Sequence, residues 1–156
     1  MGTVTRSTGT ATTDFGGFCA SNFRGKINDC YSTGRVIYAG ATDPTNKGFC
    51  GSVDTGSGYE DSGNFWDKDT SLQTTSAGNA TGKTTAQMKD YDTFNDAGWD
   101  IAKLSDHTTE TWYIYDGNDY PRLRWETKPL LPGHILRTAS GVLVSSSGAI
   151  STKRLW

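Results

Sequence analysis

Carboxylates, thiols and one acidic turn are the groups in this chain whose types and spacing suit chemistry. Asp67 and Asp69 lie two residues apart, which on a strand puts both on one side, and Asp61 is close by. Two carboxyl groups held roughly 5–10 Å apart in a cleft cleave glycosidic bonds. Aspartates at such spacing also build turns, because their side chains bond their own backbone. The string Asp67-Lys68-Asp69-Thr70 favours the turn. The thiols are Cys19, Cys30 and Cys50, an odd number that leaves no closed disulfide framework. A metal site needs a fourth ligand or a C-x-x-C spacing, and neither is present. Asp116-Gly117-Asn118-Asp119 starts like a calcium loop but lacks the distal Glu, so it reads as a turn. Gly82-Lys83-Thr84 lacks the upstream glycine of a phosphate loop and reads as the start of a helix. His107 and His134 stand in polar or linker sequence and read as surface residues. The expectation is no catalytic residue, no metal site and no cofactor.

The elements that position these groups come from a repeat. Gly17-Phe18-Cys19-Ala20-Ser21 recurs 31 residues later as Gly48-Phe49-Cys50-Gly51-Ser52. Gly2-Thr3-Val4 is echoed by Gly34-Arg35-Val36, and the second copy carries three extra residues around Ser57-Gly58-Tyr59. A period of this length marks a stack of supersecondary units. The chain thus holds the end of one coil, a full coil from about Phe15 to Asn46, and a second from Lys47 to about Gly82. Short runs of β-branched and aromatic residues between Gly, Asn and Asp read as strands. Stacking in register makes a core stack of Phe18 over Phe49 and Cys19 over Cys50. On parallel strands about 4.8 Å apart such side chains touch. Their Cβ vectors run side by side, which suits a disulfide poorly, so three free thiols are expected.

Composition agrees with a thin-cored solenoid. The chain has 156 residues, 34% hydrophobic, with 19 Gly. Its five Trp and seven Tyr are too many for a disordered chain. No run approaches the roughly 20 apolar residues of a membrane span. The first residues contain no apolar stretch of a signal peptide, which points to a start in the cytoplasm or to a replaced start. Charge is uneven. Residues 1–120 hold nine Lys/Arg against 16 Asp/Glu, a net −7, and residues 121–156 hold six against one, a net +5. Such asymmetry suggests docking of the basic end onto something acidic. Six basic residues without a motif argue only weakly for nucleic acid, and the acidic body of a neighbouring copy serves equally well.

Beyond the coils, Thr84 and Gln87 have the spacing of a capping box. A short helix is expected from about Thr85 to Lys89, and a second over Asp92–Ala97 stopped by Gly98. Trp99 and Ile101 should be buried. Trp112-Tyr113-Ile114-Tyr115 and Tyr120-Pro121-Arg122-Leu123-Arg124-Trp125 flank an Asp-Gly turn and read as a hairpin. This aromatic segment is the natural cover for the open end of a solenoid.

Several strings together resemble the GLUG-motif repeat proteins. They are Gly-Phe-Cys, Asn-Asp-Cys-Tyr-Ser-Thr-Gly, Phe-Trp-Asp-Lys-Asp-Thr-Ser, Gly-Lys-Thr-Thr-Ala-Gln-Met-Lys, Phe-Asn-Asp-Ala-Gly-Trp-Asp and Asp-Tyr-Pro-Arg-Leu, spread over residues 15–125. The resemblance implies a right-handed parallel β-helix and brings no catalytic residues. That family occurs in large bacterial and archaeal surface proteins, some of them adhesin-like. The chain departs from it by its shortness and by residues 126–156. The opening Thr3-Val4-Thr5-Arg6-Ser7-Thr8-Gly9-Thr10 is also similar to the start of some phage-encoded β-helix proteins.

The expected architecture is all-β. Residues 1–82 form about two coils of a short right-handed parallel β-helix, residues 83–125 form a small helix-plus-hairpin cap, and residues 126–156 form a linker and a β-rich arm. The arm holds short strand candidates around Ile135, Val142, Val144 and Ile150 and ends on Leu155-Trp156. Val142, Val144, Ile150, Leu155 and Trp156 are its candidate interface. The functional expectation is a structural virion protein, a decoration or tail-associated subunit that assembles through this arm. Its partners would be copies of itself or a capsid or appendage carrier. A cell-surface or filament module with a surface glycan as ligand is the alternative, and a glycan-cleaving tailspike-like enzyme is a further one.

Overall fold

The computed structural model describes residues 2–6, 15–38, 45–106 and 109–126, with strands at 135–137, 143–145 and 150–151. Two compact units result, Met1–Arg124 and Trp125–Trp156. The first is a parallel β-solenoid with a cap. It begins with β1 (Thr3–Arg6). Coil one follows, with β2 (Cys19–Phe23), β3 (Lys26–Asn28), β4 (Tyr31–Ser32) and β5 (Arg35–Tyr38). Coil two comprises β6 (Cys50–Asp54), β7 (Glu60–Ser62) and β8 (Phe65–Asp67). A one-turn helix α1 (Lys68–Ser71) leads to β9 (Thr81–Lys83).

Pairing is parallel throughout the stack. β1 lies on β5, with Val4 beside Val36, and β2 lies on β6, with Cys19 beside Cys50. β3 lies on β7, with Lys26 beside Glu60, and β4 lies on β8, with Tyr31 beside Phe65. β9 continues from β8. The offset between partners grows from 31 at Cys19–Cys50 to 34 at Lys26–Glu60. The three extra residues are therefore absorbed in the turn after β6.

Local chemistry explains the coil shape. Two corners of coil one are left-handed, at Arg24 (φ 59°) and Asp29 (φ 53°). The corners 34 residues later fall on Gly58 (φ 93°) and Gly63 (φ 64°). Only glycine adopts this region without strain, and Asp tolerates it best among the others. Asn22 holds the first corner by accepting from Gly25 N and donating to Gly25 O. The repeated Gly-Phe-Cys string has a steric cause. A Cβ on Gly17 would collide with the Gly48 carbonyl, and one on Gly48 with the Trp66 ring. Coils stacked this closely leave room for a hydrogen atom only.

The interior splits into two small clusters. Phe15, Val36 and Tyr38 form one, with Val4 against it. Phe49, Cys50 and Trp66 form the other, joined by Cys19, Ile27, Cys30 and Val53. Buried polar groups tie the coils across this thin core. Gln73 donates to Val36 O and accepts from Lys47 N, and Trp66 donates its indole N–H to Gln73 O. Asn64 donates to Ile27 O and accepts from Cys30 N.

The cap contains a 3-10 turn at Gln87–Lys89, the helix α2 (Tyr91–Asn95) and three strands, β10 (Ile101–Lys103), β11 (Trp112–Ile114) and β12 (Arg122–Leu123). The capping box is present: Thr84 N donates to Gln87 Oε1, and Gln87 N donates to Thr84 Oγ1. It closes a 3-10 turn and not an α-helix. Asp90, one residue before α2, caps that helix by accepting from Asp92 N. β11 and β12 pair antiparallel around the Asp-Gly turn, and β10 runs parallel to β11.

The cap sits elsewhere than the sequence suggests. Phe65, Met88, Phe94, Trp99, Ile101 and Ile114 form its core, with Tyr31, Tyr91, Trp112 and Tyr120 packed against them. Tyr31 belongs to coil one and Phe65 to coil two. The aromatic segment thus lies along the flank of both coils instead of closing the end of the stack. Strand alternation produces this: on β8, Trp66 points into the solenoid while its neighbours Phe65 and Asp67 face the cap. Trp125, the last aromatic of the run, falls in the second unit and is 80% exposed. That unit holds an antiparallel sheet of β13 (Ile135–Arg137), β14 (Leu143–Ser145) and β15 (Ile150–Ser151).

Candidate functional site

The two edges of the coil stack differ in how their backbone groups are satisfied. On the far side of coil two, residues 74–81 run along the strands. Gly48 N donates to Thr75 O, Phe49 N and Cys50 N donate to Ser76 Oγ, and Ala77 N donates to Cys50 O. Thr81 N then donates to Asn64 O. On the near side, β1 covers β5. Among the described residues, β2, β3 and β4 have strand partners on the coil-two side only. That leaves a parallel edge of three short strands open among the described residues.

Aromatic residues mark this edge. The rings of Phe18 and Phe49 stack face to face, 4.7 Å apart and 4° from parallel. Phe49 is buried at 1% exposure, whereas Phe18 is 46% exposed. Phe18 therefore stacks as the repeat predicts but does not belong to the core. Among the described residues it is the last ring of the ladder, stacked on one face only. Phe23 at the end of β2 is 73% exposed, with the Arg24 guanidinium over its ring. A groove of about 290 Å³ beside Phe18 is lined by Val4, Gly17, Tyr31 and Gly34 among others.

Cys19 and Cys50 sit just inside the edge. Their Sγ atoms are 3.1 Å apart, and all three cysteines are free thiols. Cys50 Sγ also lies 3.0 Å from Ser52 O. The S–H that Cys19 donates draws Cys50 down, while the same bond and burial push Cys19 up. Burial also raises Cys30, whose Sγ–H points at Asn28 O.

The carboxylates considered for glycan cleavage are all engaged in structural bonds. Asp67 is fully buried. Its Oδ1 caps α1 by accepting from Asp69 N and Thr70 N, and its Oδ2 accepts from Thr85 Oγ1 and the Tyr120 hydroxyl. Asp69 accepts from Thr85 N. Asp61 accepts from Tyr59 OH, Asn79 N and Asn64 Nδ2. Burial and the bond to Asp67 raise Tyr120, and burial with the bond to Asp61 raises Tyr59. A shallow groove of about 360 Å³ between coil two and α2 is mainly polar, lined by Asn64, Asn79, Lys83, Thr93 and Asp96 around Phe65. It brings one carboxylate, Asp96, and none of the three just described.

The acidic turn is likewise occupied. Asp116 accepts from Tyr91 N and from Lys103 Nζ at 2.7 Å, and Lys103 holds its carboxyl below the usual range. Asp119 takes two bonds from Arg122. Lys83 lies 5.5 Å over the Phe65 ring, so the Gly-Lys-Thr string serves the solenoid–cap boundary. Among the described residues no group of three or more His, Cys, Asp or Glu is placed to hold a metal. His107 and His134 lie outside the described residues, as do Val142, Leu155 and Trp156 of the expected interface. Val144 and Ile150 are paired partners within the antiparallel sheet of the second unit.

The first unit is a small parallel β-solenoid whose coil-one edge is unpaired among the described residues. No protein-family model matches the chain, and no solved structure matches it. Over 112 residues, 69% of its length, the chain is 36% identical to a protein of Evansella cellulosilytica whose provisional name is Gly-rich membrane protein. It is a distant homologue of that protein and covers 11% of its length. No helix among the described residues is long and apolar enough to cross a membrane.

Proposed function

We propose that this chain is a non-enzymatic structural module that joins a second β-solenoid subunit through the open edge of coil one. One observation carries the reading: Phe18, half-exposed, ends a ring ladder on an edge whose strands pair on one side only. An unpaired parallel edge templates association with another strand. The far edge of coil two is bonded in part, by residues 74–81 at Gly48, Phe49, Cys50 and Asn64 and by β9 on β8, so the longer open edge is that of coil one. A second copy therefore meets the open edge with its own open edge, about a two-fold axis. Such an isologous contact closes as a dimer and does not grow a filament.

The finer family reading is a GLUG-motif repeat protein, supported by the coil strings and the two stacked coils. The setting we favour is the bacterial cell surface, in the manner of an adhesin-like module. The provisional name of the Evansella cellulosilytica relative supports it. The chain matches about a tenth of that protein, which suits one module of a larger surface protein. A virion decoration protein is the second reading, favoured by the opening string that begins Thr3-Val4-Thr5-Arg6. In both settings the basic C-terminal unit supplies a further contact to an acidic partner.

Sedimentation velocity of the full chain over a range of concentrations tests the edge. The expected result is a concentration-dependent dimer that Phe18→Asp returns to monomer with an unchanged circular dichroism spectrum. A wild-type chain that stays monomeric throughout overturns the edge contact. Immunodetection in envelope fractions supports the cell-surface setting, and detection in released particles supports the virion. Release of reducing sugar from a glycan panel would overturn the non-enzymatic reading.

A further inference from the structure

We propose that Cys19 and Cys50 form an oxidisable pair, a site where a hydroperoxide closes a disulfide that staples coil one to coil two. The geometry carries this. The two residues are register partners on adjacent parallel strands. Strands spaced about 4.8 Å apart place paired Cα atoms within the range that a disulfide spans. Side-by-side Cβ vectors alone disfavour a bridge, but here both side chains turn their sulfurs toward each other, to 3.1 Å. Across this gap the Cys19 S–H donates to Cys50 Sγ.

The surroundings assign roles to the two sulfurs. Cys50 is 2% exposed and Cys19 is partly exposed at the open edge. Only a small oxidant reaches Cys50, which is why a hydroperoxide fits and a bulky disulfide reagent does not. The Cys50 thiolate is stabilised by the Cys19 S–H, and its lowered pKa makes it the first nucleophile. It attacks one oxygen of the peroxide, the O–O bond breaks, and Cys50 becomes a sulfenic acid while the other oxygen leaves as water. Cys19 sulfur then attacks Cys50 sulfur. The S–S bond forms, the S–O bond breaks, and hydroxide leaves as water with the Cys19 proton. Two thiols have lost two electrons and two protons, and one peroxide has become two waters. Cys30 stays outside the step, because its thiol is directed to Asn28 O.

The bridge would close a 31-residue separation on an edge whose strands, among the described residues, pair on one side only. Constraining the unfolded chain in this way raises stability. The edge strand β2 then cannot separate from coil two.

Purified full-length chain, freed of reductant and treated with a stoichiometric amount of hydrogen peroxide, provides the test. The titre of free thiols under denaturing conditions should fall from the three present in the reduced chain to one. The intact mass should fall by that of two hydrogens, and peptide mapping should link Cys19 to Cys50. The thermal midpoint should rise and return on reduction. Cys30→Ser should leave all of this intact, while Cys19→Ser should stop at a sulfenic acid that a cyclic 1,3-dione, added as the chain is denatured, traps on Cys50. A titre that stays at three, a link to Cys30, or a purely intermolecular link overturns the proposal. Mapping of the wild-type chain decides the matter even if a serine variant fails to fold.

Discussion

The aromatic cap and the open edge of coil one use the same kinds of residue to opposite ends. In the cap, Phe94, Tyr113 and Ile114 are fully buried, and Tyr31 reaches across from coil one to stack on Tyr120 and to donate to Pro121 O. At the edge, Phe18 and Phe23 stay largely exposed. Both regions present aromatic rings, but the neighbours differ. The cap supplies rings from several directions, whereas the edge supplies one coil below and no strand above among the described residues. The comparison teaches that a stacked repeat carries its burial from one coil to the next. Phe18, with a ring stacked on one face among the described residues, is therefore the exposed member of its pair.

Mutations can break this comparison. Phe94→Ala removes a fully buried ring from the cap and should cost about 3–5 kcal/mol in urea unfolding. Phe18→Ala removes a ring covered on one face and should cost about 1–2 kcal/mol. Equal losses at the two sites would show that the edge is covered in solution and would abolish the contrast. Between these lies Asp67→Ala, expected to cost about 3 kcal/mol. It removes the cap of α1 and leaves Thr85 and Tyr120 without their acceptor at the solenoid–cap boundary. A loss below that of Phe18→Ala would show that the boundary is held by rings alone.

Alkaline pH sharpens the same contrast. Burial and the bond to Asp67 raise Tyr120 above its ordinary value of 10. A raised folded value means that the stabilisation is present below pH 10 and is lost as pH rises past it. Cap signals should therefore weaken above pH 10, followed by near-ultraviolet circular dichroism, and Tyr120→Phe should flatten that limb. An unchanged alkaline limb in Tyr120→Phe would place the titrating group elsewhere. The smallest effect is expected at the exposed pair Lys26–Glu60 on the neighbouring ladder β3–β7. Glu60→Gln should leave the urea midpoint within experimental scatter, because solvent-exposed ion pairs contribute little. A clear shift would show that this surface is shielded by a partner.

Much of the solenoid was legible because stacking imposes identity. Gly17 and Gly48 must both lack a side chain, and Cys19 and Cys50 share a register position, so the string itself recurs. The cap was legible as elements: the Thr84–Gln87 box and the Asp-Gly turn mark their own positions. Its placement was not. Nothing in the spacing of Tyr31 or Phe65 tells whether the ring faces into the coil or outward to a cap. The buried tie of Gln73 to Lys47 N and Val36 O was also silent, since a lone glutamine in a polar stretch carries no periodic signal.

By itself, the sequence determined the parallel stack, its register and the free thiols at equivalent positions. Each follows from local sterics repeated along the chain. Only the tertiary structure decided that Phe18 is exposed while Phe49 is buried, that the cap lies on the flank, and that the sulfurs of Cys19 and Cys50 turn toward one another. Those outcomes depend on which surfaces meet across 30 or more residues. Burial and rotamer choice are settled by neighbours in space, and spacing in the chain does not encode them.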